Sequence, residues 1–90
     1  MSYEVKMSKI AIKDIPKIKA AKLNDKLKSL IEIITINPFQ NPPPYEKLLG
    51  DLREYYSRRI NIQHRLVYKV DEENKQVQIL SIWSHYENIN

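Results

Sequence analysis

The sequence predicts an α+β domain in which two N-terminal helices pack on one side of a small antiparallel β-sheet, and three observations carry that expectation. Residues 8–36 are rich in lysine and place apolar residues at helical spacing. The stretch YYSRRINIQHRLVYKV, residues 55–70, alternates like the two strands of a hairpin. The run Ile79-Leu80-Ser81-Ile82-Trp83 is apolar on both faces, as suits a strand inside a sheet. The element order is therefore β, α, α and then three strands in succession. A chain of 90 residues buries only about 60–65% of its extended surface, so it holds one small core and residues 1–90 form a single domain.

Taken in order, Tyr3-Glu4-Val5-Lys6-Met7 alternates and reads as a short strand at a sheet edge, where Glu4 and Lys6 can face water. From Ser8 to Ala21 the residues Ile10, Ile12, Ile15, Ile18 and Ala21 suggest a helix that contains Pro16. Proline in a helix interior costs about 3 kcal/mol, so either the helix kinks there or it begins at Asp14 with Pro16 in its first turn. Asn24 reads as the N-cap of a second helix, with Leu27, Leu30, Ile31 and Ile34 on one face and Asn37-Pro38 ending it. Residues 37–44, NPFQNPPP, read as a stiff, extended polyproline spacer between helices and sheet rather than as a ligand for a proline-binding domain. Asp71 to Lys75 is an acidic turn feeding a last strand from Gln76 to Tyr86, and Glu87 to Asn90 form a polar tail.

Composition narrows the function. The start, Met-Ser-Tyr-Glu-Val, lacks the layout of a signal peptide, and no apolar run approaches the roughly 20 residues that span a bilayer. The expected location is the cytoplasm, with no membrane partner. No cysteine is present, and His64 and His85 lie 21 positions apart on separate strands, so neither a metal nor any other cofactor is expected. Fifteen basic against eleven acidic residues give a net charge of +4, a mild bias toward a polyanion. The distribution is more telling. Residues 1–36 hold eight lysines and no arginine, while all four arginines fall between 53 and 65.

Pairing Ile60 with His64 across Asn61-Ile62-Gln63 sets Arg59 opposite Arg65 and Tyr56 opposite Tyr68, giving one greasy and one cationic face. Two adjacent arginines repel unless an anion lies between them, and guanidinium forks match phosphate oxygens two bonds at a time. Cleavage of RNA by its own 2′-hydroxyl needs a base for that hydroxyl, cationic donors for charge on phosphorus, and an acid for the departing 5′-oxygen. Glu46 after the proline run, Arg59 with Arg65, and His85 at the end of the last strand can fill those roles, with imidazole ordinarily titrating near about pH 6.5. From residues alone the set supports an anion-binding domain with acid–base groups. His64 at the turn reads as structural, and Trp83 as core rather than a base-stacking platform.

The stretch NPFQNPPPYEKLLGDLREYYSRRINIQHRLVYKV, with the later IWSHYE, resembles the Txe/YoeB branch of the RelE-like bacterial toxins. The resemblance is strong over residues 37–87 and extends to the helical half in layout. It implies a RelE-like, microbial-ribonuclease-like fold and a ribosome-dependent endoribonuclease that cuts mRNA in the decoding site. The implied base is Glu46, the phosphate-binding arginines are Arg59 and Arg65, the acid is His85, and the terminal tyrosine at the substrate is Tyr86. The implied partners are the ribosome with its mRNA and a Phd/YefM-type antitoxin, and a homodimer is compatible with the family. The alternative is a non-catalytic subunit that uses the same arginines only to hold nucleic acid or an antitoxin. Pro16 and the four residues after Tyr86 are departures from the family pattern.

Overall fold

The computed structural model describes residues 2–48 and 54–84. The elements are β1 (Glu4–Met7), α1 (Lys9–Ala20), α2 (Asn24–Ile36), β2 (Glu46–Lys47), β3 (Tyr55–Arg59), β4 (Arg65–Asp71) and β5 (Gln76–Ser84). They form one five-stranded sheet in the order β1-β5-β4-β3-β2. Two helices on a sheet make the α+β domain that the sequence predicts, but the sheet is mixed rather than antiparallel. Short connections force β3, β4 and β5 to run antiparallel, whereas β1 joins β5 in parallel, Val5 beside Val77, after the chain has passed through both helices. Alternation in β1 shows that it is a strand and says nothing of its direction. The edge placement of β1 and the interior placement of β5 are as expected.

Helix α1 starts at Ser8, whose Oγ accepts from the Ala11 N–H at 3.1 Å and donates to the Leu80 carbonyl at 2.6 Å, so one side chain both caps the helix and ties it to β5. The helix runs from Lys9 through Pro16, which lies on its exposed side, so it does not begin at Asp14. Its buried face is Ala11, Asp14 and Ile18 with Ile15 half-buried, while Ile10 and Ile12 are exposed. Residues 10 and 12 lie about 200° apart on a helix and cannot share a face. Helix α2 buries Leu27, Leu30 and Ile34 as expected. Asn24 is its first residue rather than its cap, and no side chain caps that end.

The core gathers Ala11 and Ile18 of α1, Leu27, Leu30 and Ile34 of α2, and Leu66, Tyr68, Val77, Ile79 and Ile82 of the sheet. The hairpin has the expected register: Tyr56 faces Tyr68, Arg59 faces Arg65, and the Ile60 N–H donates to the His64 carbonyl at 2.9 Å. Asn61 Oδ1 accepts from the N–H groups of Gln63 and His64, which fixes the turn.

Between β4 and β5 the register shifts twice. Tyr68 pairs with Ile79 and Arg65 with Ser84, so three steps along β4 match five along β5. Asp14 accounts for the shift between Arg65 and Val67. Its Oδ2, on the buried face of α1, accepts from the consecutive N–H groups of Ile82 and Trp83 at 3.1 and 3.2 Å. Consecutive amides in a regular strand point to opposite sides, so one acceptor can take both only where the strand bulges.

The linker is not a straight polyproline rod. Asn41-Pro42 and Pro42-Pro43 are cis, and the segment curls so that the carbonyls of Pro38, Gln40 and Pro43 converge on one guanidinium, that of Arg58.

Candidate active site

On the sheet face away from the helices, a cleft of about 290 Å³ is lined by Pro44, Glu46, Ser57, Arg59 and Arg65. Strand pairing explains this set. Glu46 pairs with Ser57, and Ser57 is followed two residues later by Arg59, opposite Arg65, so all four share a face. The contact that joins them is Arg65 Nη1 to Glu46 Oε1 at 3.5 Å. At that length, with the Glu46 side chain 62% exposed, the pair is weak, and an incoming phosphate can displace the carboxylate. Arg65 itself is only 8% exposed, so it sits in the sheet rather than on an open face, while Arg59 is exposed at the rim. Among the described residues no three His, Asp or Glu side chains converge as metal ligands, and no helix is long and apolar enough to cross a membrane.

The linker that leads into Glu46 is held by residues that the sequence reading did not single out. Arg58 is 1% exposed and points to the opposite face, the one its sequence parity with Tyr56 dictates. It donates to the carbonyls of Pro43 (2.7 Å), Gln40 (2.9 Å) and Pro38 (3.0 Å), and through Nε to the Tyr68 hydroxyl (3.1 Å). That hydroxyl donates in turn to the Pro38 carbonyl at 2.8 Å. Burial is the main reason the Tyr68 phenol is pushed up to about 12, against a lowering by the neighbouring Arg58 charge. Phe39, Tyr45 and Tyr56 pack around this clamp with ring centroids 5.2–5.9 Å apart, Tyr56 edge to face with the other two, and the Arg58 guanidinium lies 5.1 Å from the Tyr45 ring centre. Of the three arginines in the hairpin, then, one fastens the linker and two face the cleft.

Ser57 is the second omission. Its Oγ is buried below the cleft and has no hydrogen-bond partner among the described residues. The Ser-Arg-Arg spacing, which puts Ser57 on the Arg59 side, was the available signal. His64 is buried and stacks on Trp83, centroids 3.6 Å apart and planes 18° apart, away from the cleft lining. Arg53, His85 and Tyr86 lie outside the described residues, but Ser84, which immediately precedes His85, pairs with Arg65. A larger hollow of about 630 Å³ between Phe39, Lys47 and Lys69 carries Glu54, Asp71 and Glu72 as well, and those carboxylates disfavour an anion there.

Residues 13–86 match the model of the YoeB-like toxin of bacterial type II toxin–antitoxin systems. The chain belongs to that family. Its sequence is 40% identical over 65 residues to toxin YoeB of Streptomyces coelicolor, covering 72% of this chain and 75% of that protein. It is also similar to two structures from Staphylococcus aureus. A YoeB–YefM complex superposes with a TM-score of 0.77 at 34% identity, and a YoeB dimer with 0.73 at 32%, each covering 93% of this chain and 98% of the other. In this YoeB-like toxin Glu46, Arg59 and Arg65, the residues that the resemblance singled out, line one cleft.

Proposed function

We propose that this YoeB-like toxin is a metal-independent endoribonuclease that cuts mRNA in the decoding site of the ribosome. The observation that carries the reading is the single cleft in which the Glu46 carboxylate touches Arg65 beside Arg59. In that cleft a scissile phosphate binds between the two arginines and displaces Glu46 from Arg65, leaving the carboxylate free to take the proton of the 2′-hydroxyl. The 2′-oxygen then attacks phosphorus, the guanidinium groups hold the growing negative charge on the non-bridging oxygens, and the bond to the 5′-oxygen breaks. His85, by family resemblance, gives that oxygen its proton, with Tyr86 beside it on the substrate. The products are a 2′,3′-cyclic phosphate, or the 3′-phosphate that follows it, and a 5′-hydroxyl.

With a field of only +4 the chain captures free RNA weakly. A ribosome that grips the message and presents it in line supplies orientation worth several kcal/mol of barrier, and the exposed lysines of α1 and α2 suit docking on ribosomal RNA. The proposed antitoxin is of the Phd/YefM type, and its acidic groups compete for the same two arginines, so toxin bound to it does not cut. The test compares cleavage of one message, free and on programmed ribosomes, at matched ionic strength, with Glu46→Ala beside the wild type. Cleavage confined to the ribosome and lost in the variant is expected. Equal rates on both forms of the message overturn ribosome dependence, and a fully active Glu46→Ala removes the proposed base.

A further inference from the structure

Arg59 stands between two hollows. Arg59 and Pro44 also line a second hollow of about 380 Å³, together with Lys26, Pro43, Ile60, Asn61 and Ile62. Three elements distant in sequence meet there: the exposed side of α2 through Lys26, the curled linker through its prolines, and the hairpin tip through Asn61 and Ile62. The chemistry of the lining is selective. It has two cations, one amide and an apolar wall, and no carboxylate among the described residues. Ile62 is 85% exposed at the tip, next to the two prolines, an arrangement that buries nothing of the chain's own core.

The geometry points to this hollow as the subsite for the nucleotide that neighbours the scissile phosphate, with its base against Ile62 and the prolines and its further phosphate on Lys26. The inference rests on the active-site reading above and extends it. An apolar wall flanked by two cations suits a single-stranded nucleotide whatever its sequence: the face of any base can cover the wall, and the backbone takes the charge. Arg59, shared by both cavities, then lies between two successive phosphates, which explains why it is left exposed at the rim while Arg65 is sunk into the sheet. Lys26 was one of eight lysines that the sequence could not tell apart. Its place in the hollow separates it from the others.

The test uses the full chain and three uncleavable RNA probes, a dinucleotide and two trinucleotides, each with a 2′-deoxy sugar at the position of attack. The dinucleotide has the scissile phosphate alone, and trinucleotides extended on the 5′ or the 3′ side add the neighbour in either direction. One extension is expected to bind more tightly than the dinucleotide by at least about 5-fold, the lower end of what one stacked base contributes. Lys26→Glu and Ile62→Asn, both at exposed positions, are each expected to erase most of that gain while leaving the dinucleotide unchanged. Lys26→Gln should also flatten the salt dependence of trinucleotide binding by a slope of about 0.7, one phosphate contact on a single strand. No gain from either extension, or a gain that both variants retain, overturns the subsite. Variants that weaken only the complex with the antitoxin, with the RNA gain intact, assign the hollow to a protein partner and likewise overturn it. Cleavage on programmed ribosomes is measured alongside: a wild-type chain that cuts but shows no extension gain fails the subsite alone, whereas one that does not cut fails the active-site reading.

Discussion

Replacing Arg58 by methionine keeps a long, unbranched side chain in the core and removes four hydrogen bonds. The consequences differ from acceptor to acceptor. The Pro38 carbonyl keeps its bond from the Tyr68 hydroxyl at 2.8 Å, but the carbonyls of Gln40 and Pro43 lose the partners that hold the linker in its curl. Each buried acceptor left unmade costs about 1–3 kcal/mol. Both of these bonds are only part-buried, so water recovers some of the loss, and relief from burying a guanidinium recovers more. The expected net destabilisation is about 2–4 kcal/mol, a large share of the roughly 5–15 kcal/mol that holds a domain folded. For a chain of this size that lowers Tm by on the order of 10–25 °C. Urea denaturation reads the stability, and cleavage on programmed ribosomes well below the variant's melting range reads the second effect, a fall in kcat as Glu46 loses its fixed approach to Arg65. Arg58→Lys, which keeps the charge but not the fork, should be intermediate in stability. If Arg58→Met shifted the urea midpoint by the equivalent of less than about 1 kcal/mol and cut at the wild-type rate, the clamp would not be what positions Glu46.

Arg65→Ala should slow cleavage by about 10²–10³, the scale of one lost charge-stabilising donor, and because Arg65 is 8% exposed it should also lower stability measurably. Arg65→Lys should recover stability more than rate, and rapid cleavage by either variant would remove Arg65 from the site. Asp14→Ala leaves the N–H groups of Ile82 and Trp83 without their acceptor, so their hydrogen exchange should accelerate selectively and the chain should lose about 2–4 kcal/mol, whereas unchanged exchange at both amides would show that the bulge holds itself. The fully buried Tyr68 phenol, pushed up to about 12 from 10.0, favours folding while it stays neutral. Its contribution is complete below pH 10 and is lost as pH rises through 12. The stability advantage of the wild type over Tyr68→Phe should therefore shrink by about 2 kcal/mol between pH 9 and pH 12, as read by urea midpoints, and a constant advantage would contradict it.

The sequence by itself determined whatever depends on neighbours along the chain. Alternation and an Asn-anchored turn fixed the hairpin, and with it the opposition of Arg59 and Arg65 and of Tyr56 and Tyr68. Residue order alone also carried the family resemblance and the choice of Glu46. Tertiary structure decided the rest, because the deciding bonds join residues far apart. Arg58 has the same local surroundings as Arg59, yet it becomes a buried clamp because carbonyls 15, 18 and 20 positions away curl toward its face of the sheet. Asp14 interrupts an apolar helix face for no local reason, and only contact with amides 68 and 69 positions later explains a carboxylate there. The direction of β1 and the separation of Lys26 from the other lysines depend likewise on the path the chain takes between elements. Periodicity records which side of an element is buried. What lies against that side is settled only when the elements meet.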